Sequence, residues 1–158
     1  MHSLRNLPYT FVISYKSLEE KLMGLRLFFL DDDAIQNEIL NEYLSLIDIP
    51  HKAKFEQYGG EGIEYLKNCS REDFPQVFFV DLMMPRMDGY EFLEELEKIL
   101  DHKNVNPSVY FLSSSVSQVD RQNAKKYSIL KDFITKPLKV GKFKALISDE
   151  HALRYPIE

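Results

Sequence analysis

The 158-residue chain has no tryptophan, one cysteine, six glycines and no excess of cations, its 20 Lys and Arg standing against 25 Asp and Glu for a formal charge of -5. Each scarcity excludes something. A lone thiol, Cys69, makes neither an internal disulfide nor a cysteine-based zinc site, so a secreted, disulfide-stapled scaffold is excluded and a reduced thiol in the cytoplasm is expected. The acidic balance argues against a surface built for phosphate backbones, which needs clustered Lys and Arg, and no direct nucleic-acid partner is expected. The apolar run Tyr9 to Ser14 is too short to span a bilayer, and no small-residue cleavage site follows it. Neither a membrane segment nor a signal peptide is expected there. Residues 1–24 read as an N-terminal extension or leader, with Met23 standing just before the first strong strand.

What remains is 44% hydrophobic and 28% charged, ordinary for one globular domain that buries about two-thirds of its unfolded surface. From Leu25 the chain alternates short apolar runs with helical spacing. Leu25–Leu30 reads as a buried strand that stops at three aspartates. Ile35, Ile39, Leu40, Tyr43, Leu44 and Ile47 then recur at helical spacing, with Asp33 placed to cap and Gln36 to complete a capping box. A second strand is expected over 53–58, a turn at Gly59–Gly60, and a brief helix through Ile63 and Leu66 to about Asn68. Residues 76–80 form a third strand. A third helix follows over 90–100, its glutamates reading as a solvated face and Asp88 as a turn or cap residue. A fourth strand over 109–112, a weaker helix over 117–126, a fifth strand over 132–135 and a closing helix over 140–147 complete the pattern.

Five strands separated by helices imply an α/β fold, an open parallel sheet covered on both faces, with a ligand site outside the carboxyl ends of the strands. The chemistry-bearing residues collect at that rim. Asp31 and Asp32 follow the first strand, Asp81 the third, Ser113 the fourth and Lys136 the fifth. Three carboxylates brought together repel one another, and a hard divalent cation relieves the repulsion. Mg²⁺ suits such a cluster, because it prefers oxygen ligands and commonly bridges a carboxylate to a phosphoryl oxygen. A carboxylate is also a nucleophile toward phosphorus when cations offset the charge on the transferring group.

The segments Leu27–Asp33, Val77–Gly89 with its Asp81-Leu82-Met83-Met84-Pro85 core, Tyr110–Ser114 and Phe133–Leu138 together resemble the receiver domain of two-component response regulators, of the chemotaxis-regulator kind. The resemblance implies a flavodoxin-like, doubly wound five-stranded parallel sheet in the order 2-1-3-4-5. It assigns residues 25–148 to the receiver and 149–158 to a C-terminal tail. It implies Asp81 as the phosphoryl acceptor and Mg²⁺ held by Asp31, Asp32, Asp81 and the backbone carbonyl of Met83. Ser113 would be the switch hydroxyl, Phe133 the switch aromatic and Lys136 the partner of the phosphoryl group, with a cis bond to Pro137. Pro85 and Gly89 would shape the loop after the acceptor. The implied partners are a sensor histidine kinase or histidine phosphotransfer protein upstream and an effector protein downstream, with phosphorylation-dependent homodimerisation through the same output face. The implied role is a signalling module and not an enzyme in the usual sense; with few residues after the closing helix, its output is expected to be another protein, as for a stand-alone regulator or a phosphorelay intermediate.

Two other readings stay open at this point. Asp31-Asp32-Asp33 also resembles the nucleophile motif of haloacid-dehalogenase-like phosphatases, with Ser113 and Lys136 as later elements and Asp149–Glu150 as the late acidic pair. That leaves Asp81 idle. The other is a receiver-shaped binding module that is never phosphorylated. The histidines His2, His51, His102 and His151 have no ligand spacing and are assigned no chemistry.

Overall fold

Three strands carry the most apolar sequence in the chain, and they occupy the middle of the sheet. The structure, a computed structural model, describes residues 24–157; residues 1–23 of the expected extension lie outside them. The strands are β1 (Leu25–Leu30), β2 (His51–Glu56), β3 (Val77–Asp81), β4 (Ser108–Ser113) and β5 (Leu130–Thr135). All pair in parallel in the order β2-β1-β3-β4-β5, the arrangement of a doubly wound flavodoxin-like sheet. β1, β3 and β4 are buried on both faces, as runs such as LRLFFL and VFFVD require. The edges are HKAKFE and LKDFIT, whose mixed polarity tolerates solvent on one side.

Register turns the phenylalanine pairs into two aromatic rows. Phe28 lies beside Phe78, and Phe29 beside Phe79. On one face Phe55, Phe29, Phe79 and Tyr110 follow one another across four strands, with neighbouring ring centroids 4.5, 5.2 and 5.6 Å apart. Phe28 and Phe78, 5.1 Å apart, occupy the other face. Such pairs add about 0.5–1.5 kcal/mol each beyond the area they bury. The first row is covered by α1 (Ala34–Leu44) and α5 (Val140–Arg154), the second by α2 (Gly59–Asn68) and α3 (Gly89–Lys103). The remaining helix, α4 (Gln118–Ala124), buries no side chain.

Helix starts are set by their caps. Asp33 caps α1 through Ile35 N at 2.9 Å, without a reciprocal bond from Gln36. Asp88 and Glu91 form a full capping box on α3, with both bonds at 2.9 Å, and Ser117 and Asp120 form another on α4. Glu91, read from the sequence as solvated polarity, therefore closes a cap.

Four features differ most from expectation. β2 starts at His51, which lies opposite Leu25. The Gly59–Gly60 pair opens α2 instead of turning the chain, and a Cβ on Gly59 would stand 2.6 Å from the Met87 sulfur. Ile35 faces solvent although its spacing marks it as core. α5 continues past Ile147 to Arg154, into the residues expected as a tail, because Glu150 and Arg154 are held by the sheet. Glu150 accepts from Ser108 Oγ (3.1 Å), Tyr110 OH (2.6 Å) and Arg154. Arg154 also donates to the carbonyl of Gln76 at 2.7 Å. This network lies at the amino end of β4 and secures the far end of α5.

Candidate functional site

The strand order reverses between β1 and β3, and the carboxyl ends of those two strands carry the buried acids. Asp31 is 1% exposed and Asp81 6%. The turn after β1 is fixed by its own polar groups. Asp33 N donates to Asp31 Oδ1 at 3.0 Å, and the amide of Asn37 donates to the carbonyls of Asp31 (3.0 Å) and Glu56 (3.3 Å). That asparagine, 8% exposed within the buried stripe of α1, ties the top of β1 to the top of β2. The turn after β3 is fixed by Gly89, whose N–H donates to the Leu82 carbonyl at 2.9 Å. A Cβ there would stand 2.9 Å from Leu82 Cα and 3.1 Å from the Asp81 carbonyl oxygen. Only glycine lets α3 begin so close to the acidic strand end.

Lys136 comes from the loop after β5 and reaches both acids, with Nζ 2.7 Å from Asp31 Oδ2 and 3.1 Å from Asp81 Oδ2. Its backbone N–H donates to the Ser113 carbonyl at 2.9 Å, and the Lys136–Pro137 bond is cis, as expected. Asp32 is exposed at the mouth. Asp31, Asp32 and Asp81 each offer an oxygen within 4.8 Å of the others.

One lysine does not balance this charge. Burial and the neighbouring charge of Asp31 push the Asp81 carboxyl up to about 6, against the opposing pull of Lys136 and the Met83 N–H. Burial draws the Lys136 ammonium down, but its hydrogen bond to Asp31 and the charges of both acids outweigh burial and raise it. The residual negative charge and the all-oxygen donor set fit a hard divalent cation.

Ser113 is buried at the end of β4, on the rim, with its hydroxyl donating to the Ser115 carbonyl at 2.5 Å. Phe133 is half-buried on β5 and packs on Phe111, with ring centroids 5.7 Å apart. Met83 is 75% exposed beside Asp81, and its N–H donates to Asp81 Oδ1 at 3.1 Å. The phosphatase-like reading loses its acidic pair here, because Glu150 is bound at the opposite end of the sheet. Two residues the sequence reading passed over belong to the surroundings of the site. Asn37 was hidden by its polarity within an apolar helical stripe. Tyr90 donates its hydroxyl to the Asp120 carbonyl at 2.7 Å and so holds α4, while its ring meets Phe111 edge-on at 5.1 Å. Its helical spacing marked it only as core.

The comparisons agree with the fold. Residues 27–148 match the response regulator receiver domain family. Over 109 residues the chain is 33% identical to the sensor histidine kinase CheAY of Helicobacter pylori, covering 68% of this chain and 13% of that protein's length. Among solved structures, the receiver domain of the Saccharomyces cerevisiae response regulator Ssk1, determined with the histidine phosphotransfer protein Ypd1, aligns with a TM-score of 0.70 and 21% identity, covering 87% of this chain and 95% of that one. The receiver domain of the sensor histidine kinase PA1611 from Pseudomonas aeruginosa, which has a magnesium ion coordinated in its active-site cleft, aligns with a TM-score of 0.65 and 15% identity, covering 82% and 98%. Vibrio cholerae chemotaxis protein CheY4 aligns with a TM-score of 0.64 and 16% identity, covering 80% and 98%. With the family matched over most of its length, the chain belongs to the response regulator receiver domains of two-component phosphorelay signalling.

Proposed function

We propose that Asp81 accepts a phosphoryl group from a phosphohistidine on a sensor kinase or histidine phosphotransfer protein. The observation that carries this is the convergence on one buried carboxylate of a lysine ammonium at 3.1 Å and two further acids at the switch point of the sheet. A carboxylate oxygen of Asp81 attacks phosphorus, the phosphorus–nitrogen bond of the donor breaks, and the imidazole leaves with its electron pair and takes a proton from solvent. Lys136 holds Asp81 in place and offsets charge on the phosphoryl oxygens. Asp31, Asp32, Asp81 and the Met83 carbonyl would hold Mg²⁺, which when bound supplies electrostatic stabilisation of the transferring group.

The acyl phosphate adds charge and strong acceptors to the rim. Ser113 then exchanges the Ser115 carbonyl for a phosphoryl oxygen, drawing the β4–α4 loop inward, and Phe133 follows into the space vacated against Phe111. The surface formed by α4, β5 and α5 changes as a result. Its readout is a downstream effector protein or a second copy of the chain. This chemistry and the reduced thiol fit a cytoplasmic setting. Receiver domains are signalling domains, and the protein acts by being modified rather than by turning over a substrate.

Incubation with acetyl phosphate and Mg²⁺, followed by mass spectrometry, tests the assignment: a labile phosphoryl adduct is expected on Asp81 and absent in Asp81→Asn. An adduct that persists in Asp81→Asn and disappears in Asp31→Asn would overturn it. Titration with beryllofluoride and Mg²⁺ separates it from an inert binding module, which would leave the NMR signals of Ser113 and Phe133 unmoved.

A further inference from the structure

Away from the acidic cluster, towards the amino ends of β1 and β2, one side of the sheet carries an excess of the opposite charge. The register of these two strands sets Arg26 directly beside Lys52. Neighbouring strands lie about 4.8 Å apart and alternate residues share a face, so Arg26, Lys52 and Lys54 stand on one side of the sheet. It is the side of Phe28, whose ring stacks on Tyr65 of α2 with centroids 6.2 Å apart. Between this strand edge and the carboxyl end of α2 lies a groove of about 510 Å³, lined by the three cations, by a single acid, Asp73, and by a wall that includes Tyr65 and Pro75. Its volume is that of sites that take small molecules.

Two of the three cations are uncompensated. Lys54 is committed, with Nζ 3.0 Å from Glu56 Oε1 and 4.9 Å from the centre of the Tyr65 ring. Asp73 is engaged as well, by the Ser70 hydroxyl at 3.0 Å. Arg26 and Lys52 make no salt bridge among the described residues, and two like charges on adjacent strands repel. Arg26 is nonetheless anchored. Its Nε donates to the Phe74 carbonyl at 2.9 Å, and its backbone is tied to Gln76 through both the N–H and the carbonyl. The Nε bond fixes the guanidinium and leaves its two terminal nitrogens without a hydrogen-bond partner among the described residues. Lys103, at the end of α3, adds to the positive field behind the groove, since its Nζ is held by the Cys69 carbonyl at 2.6 Å and by no carboxylate among the described residues.

We infer that this groove binds a small phosphate monoester, its phosphoryl head between Arg26 and Lys52 and its organic part against Tyr65 and Pro75. Charge selects the head. A phosphate monoester carries about -1.5 to -2 at neutral pH and matches two free cations with one group, whereas a carboxylate or a sulfate ester matches one and leaves the other. Geometry selects it further, because the terminal nitrogens of a guanidinium pair with two oxygens of one phosphoryl group. A nucleic-acid strand fits less well. Its diester phosphates are singly charged, and those beyond the groove would meet a chain of net charge -5. The groove shares no residue with the acidic cluster, so the inference does not draw on the phosphoacceptor reading.

The test uses the full chain without Mg²⁺ and three probes: phenyl phosphate, inorganic phosphate and phenyl sulfate. In an NMR titration phenyl phosphate is expected to bind with a Kd of about 1 mM or tighter and to shift the signals of Arg26, Lys52, Tyr65 and Asn68. Inorganic phosphate should move the Arg26 and Lys52 signals with several-fold weaker affinity. Phenyl sulfate, the same shape with less charge, should bind about tenfold more weakly. Lys52 is exposed on an edge strand, so Lys52→Glu leaves the fold intact and should weaken phenyl phosphate binding about tenfold. Arg26→Lys keeps the charge but loses the fork and should weaken it several-fold, while Lys67→Gln on the outside of α2 should change nothing. Shifts centred on other residues, equal affinity for phenyl phosphate and phenyl sulfate, binding indifferent to Lys52→Glu, or no saturation below about 10 mM would overturn the proposal. Acetyl phosphate labelling of Asp81 with Mg²⁺ should be the same in Lys52→Glu as in the unmodified chain, so either reading can fail while the other stands.

Discussion

The sheet buries acids at both of its ends, and the two ends treat them in opposite ways. At the amino end, Glu150 meets Arg154, Tyr110 and Ser108 and is fully matched. At the carboxyl end, Asp31 and Asp81 share one lysine, Asp32 adds a third charge, and the Asp81 carboxyl is pushed up to about 6. A matched buried acid fastens one helix to the sheet. An unmatched one stores repulsion that a cation or a phosphoryl group with its counter-charges can release. The comparison separates structural from chemical use of the same residue type better than burial does, since all three of Asp31, Asp81 and Glu150 are buried.

The contrast breaks most visibly at the amino end. Glu150→Ala leaves the Arg154 guanidinium partly buried without its carboxylate and should destabilise the fold by about 3–5 kcal/mol in urea denaturation. The double variant Glu150→Leu/Arg154→Leu should recover much of that loss, because it removes both charges together. Phosphoryl labelling of whatever protein remains folded should be unchanged.

At the carboxyl end the sign reverses. The folded-state pKa of Asp81 lies above its ordinary 3.8, so its ionisation opposes folding. The metal-free protein therefore loses stability as pH rises from 3.8 to about 6 and stays at the lower level above that. Asp81→Asn should abolish labelling yet stabilise the metal-free protein at neutral pH, by up to about 3 kcal/mol. That gain should shrink on acidification through the same window and on adding Mg²⁺ to the unmodified chain. Thermal melts at several pH values measure both effects.

Smaller effects sharpen the comparison. Asn37→Ala removes the donor shared by the Asp31 and Glu56 carbonyls and should cost about 1–2 kcal/mol. It should also weaken Mg²⁺ binding, measured by titration calorimetry, because the β1 turn loses its brace. Asp33→Ala removes only a helix cap and should cost about 1 kcal/mol, with Mg²⁺ binding unchanged.

The strands and the five rim residues were legible because each of Asp31, Asp32, Asp81, Ser113 and Lys136 ends or closely follows an apolar run, which is what a buried parallel strand looks like in sequence. Strand order came from resemblance, since nothing local encodes it. Asn37 and Glu150 were not legible in their roles. Each lies on a helical stripe where a polar residue reads as surface, and its partners include a backbone carbonyl or a side chain far along the chain, 19 residues away for Asn37 and 42 for Glu150. Net charge misled in a similar way: a total of -5 hides the cationic groove beside α2, because averaging over the chain erases position.

One feature of α4 reaches beyond the present molecule. The helix contributes nothing to the hydrophobic interior and is attached through its own cap, the Tyr90 hydroxyl and the residues that follow it. Substitutions at its outward positions therefore leave folding almost untouched. An element under so little conformational constraint can diverge rapidly after gene duplication, giving sister proteins new interlocutors while the buried chemistry they share stays fixed.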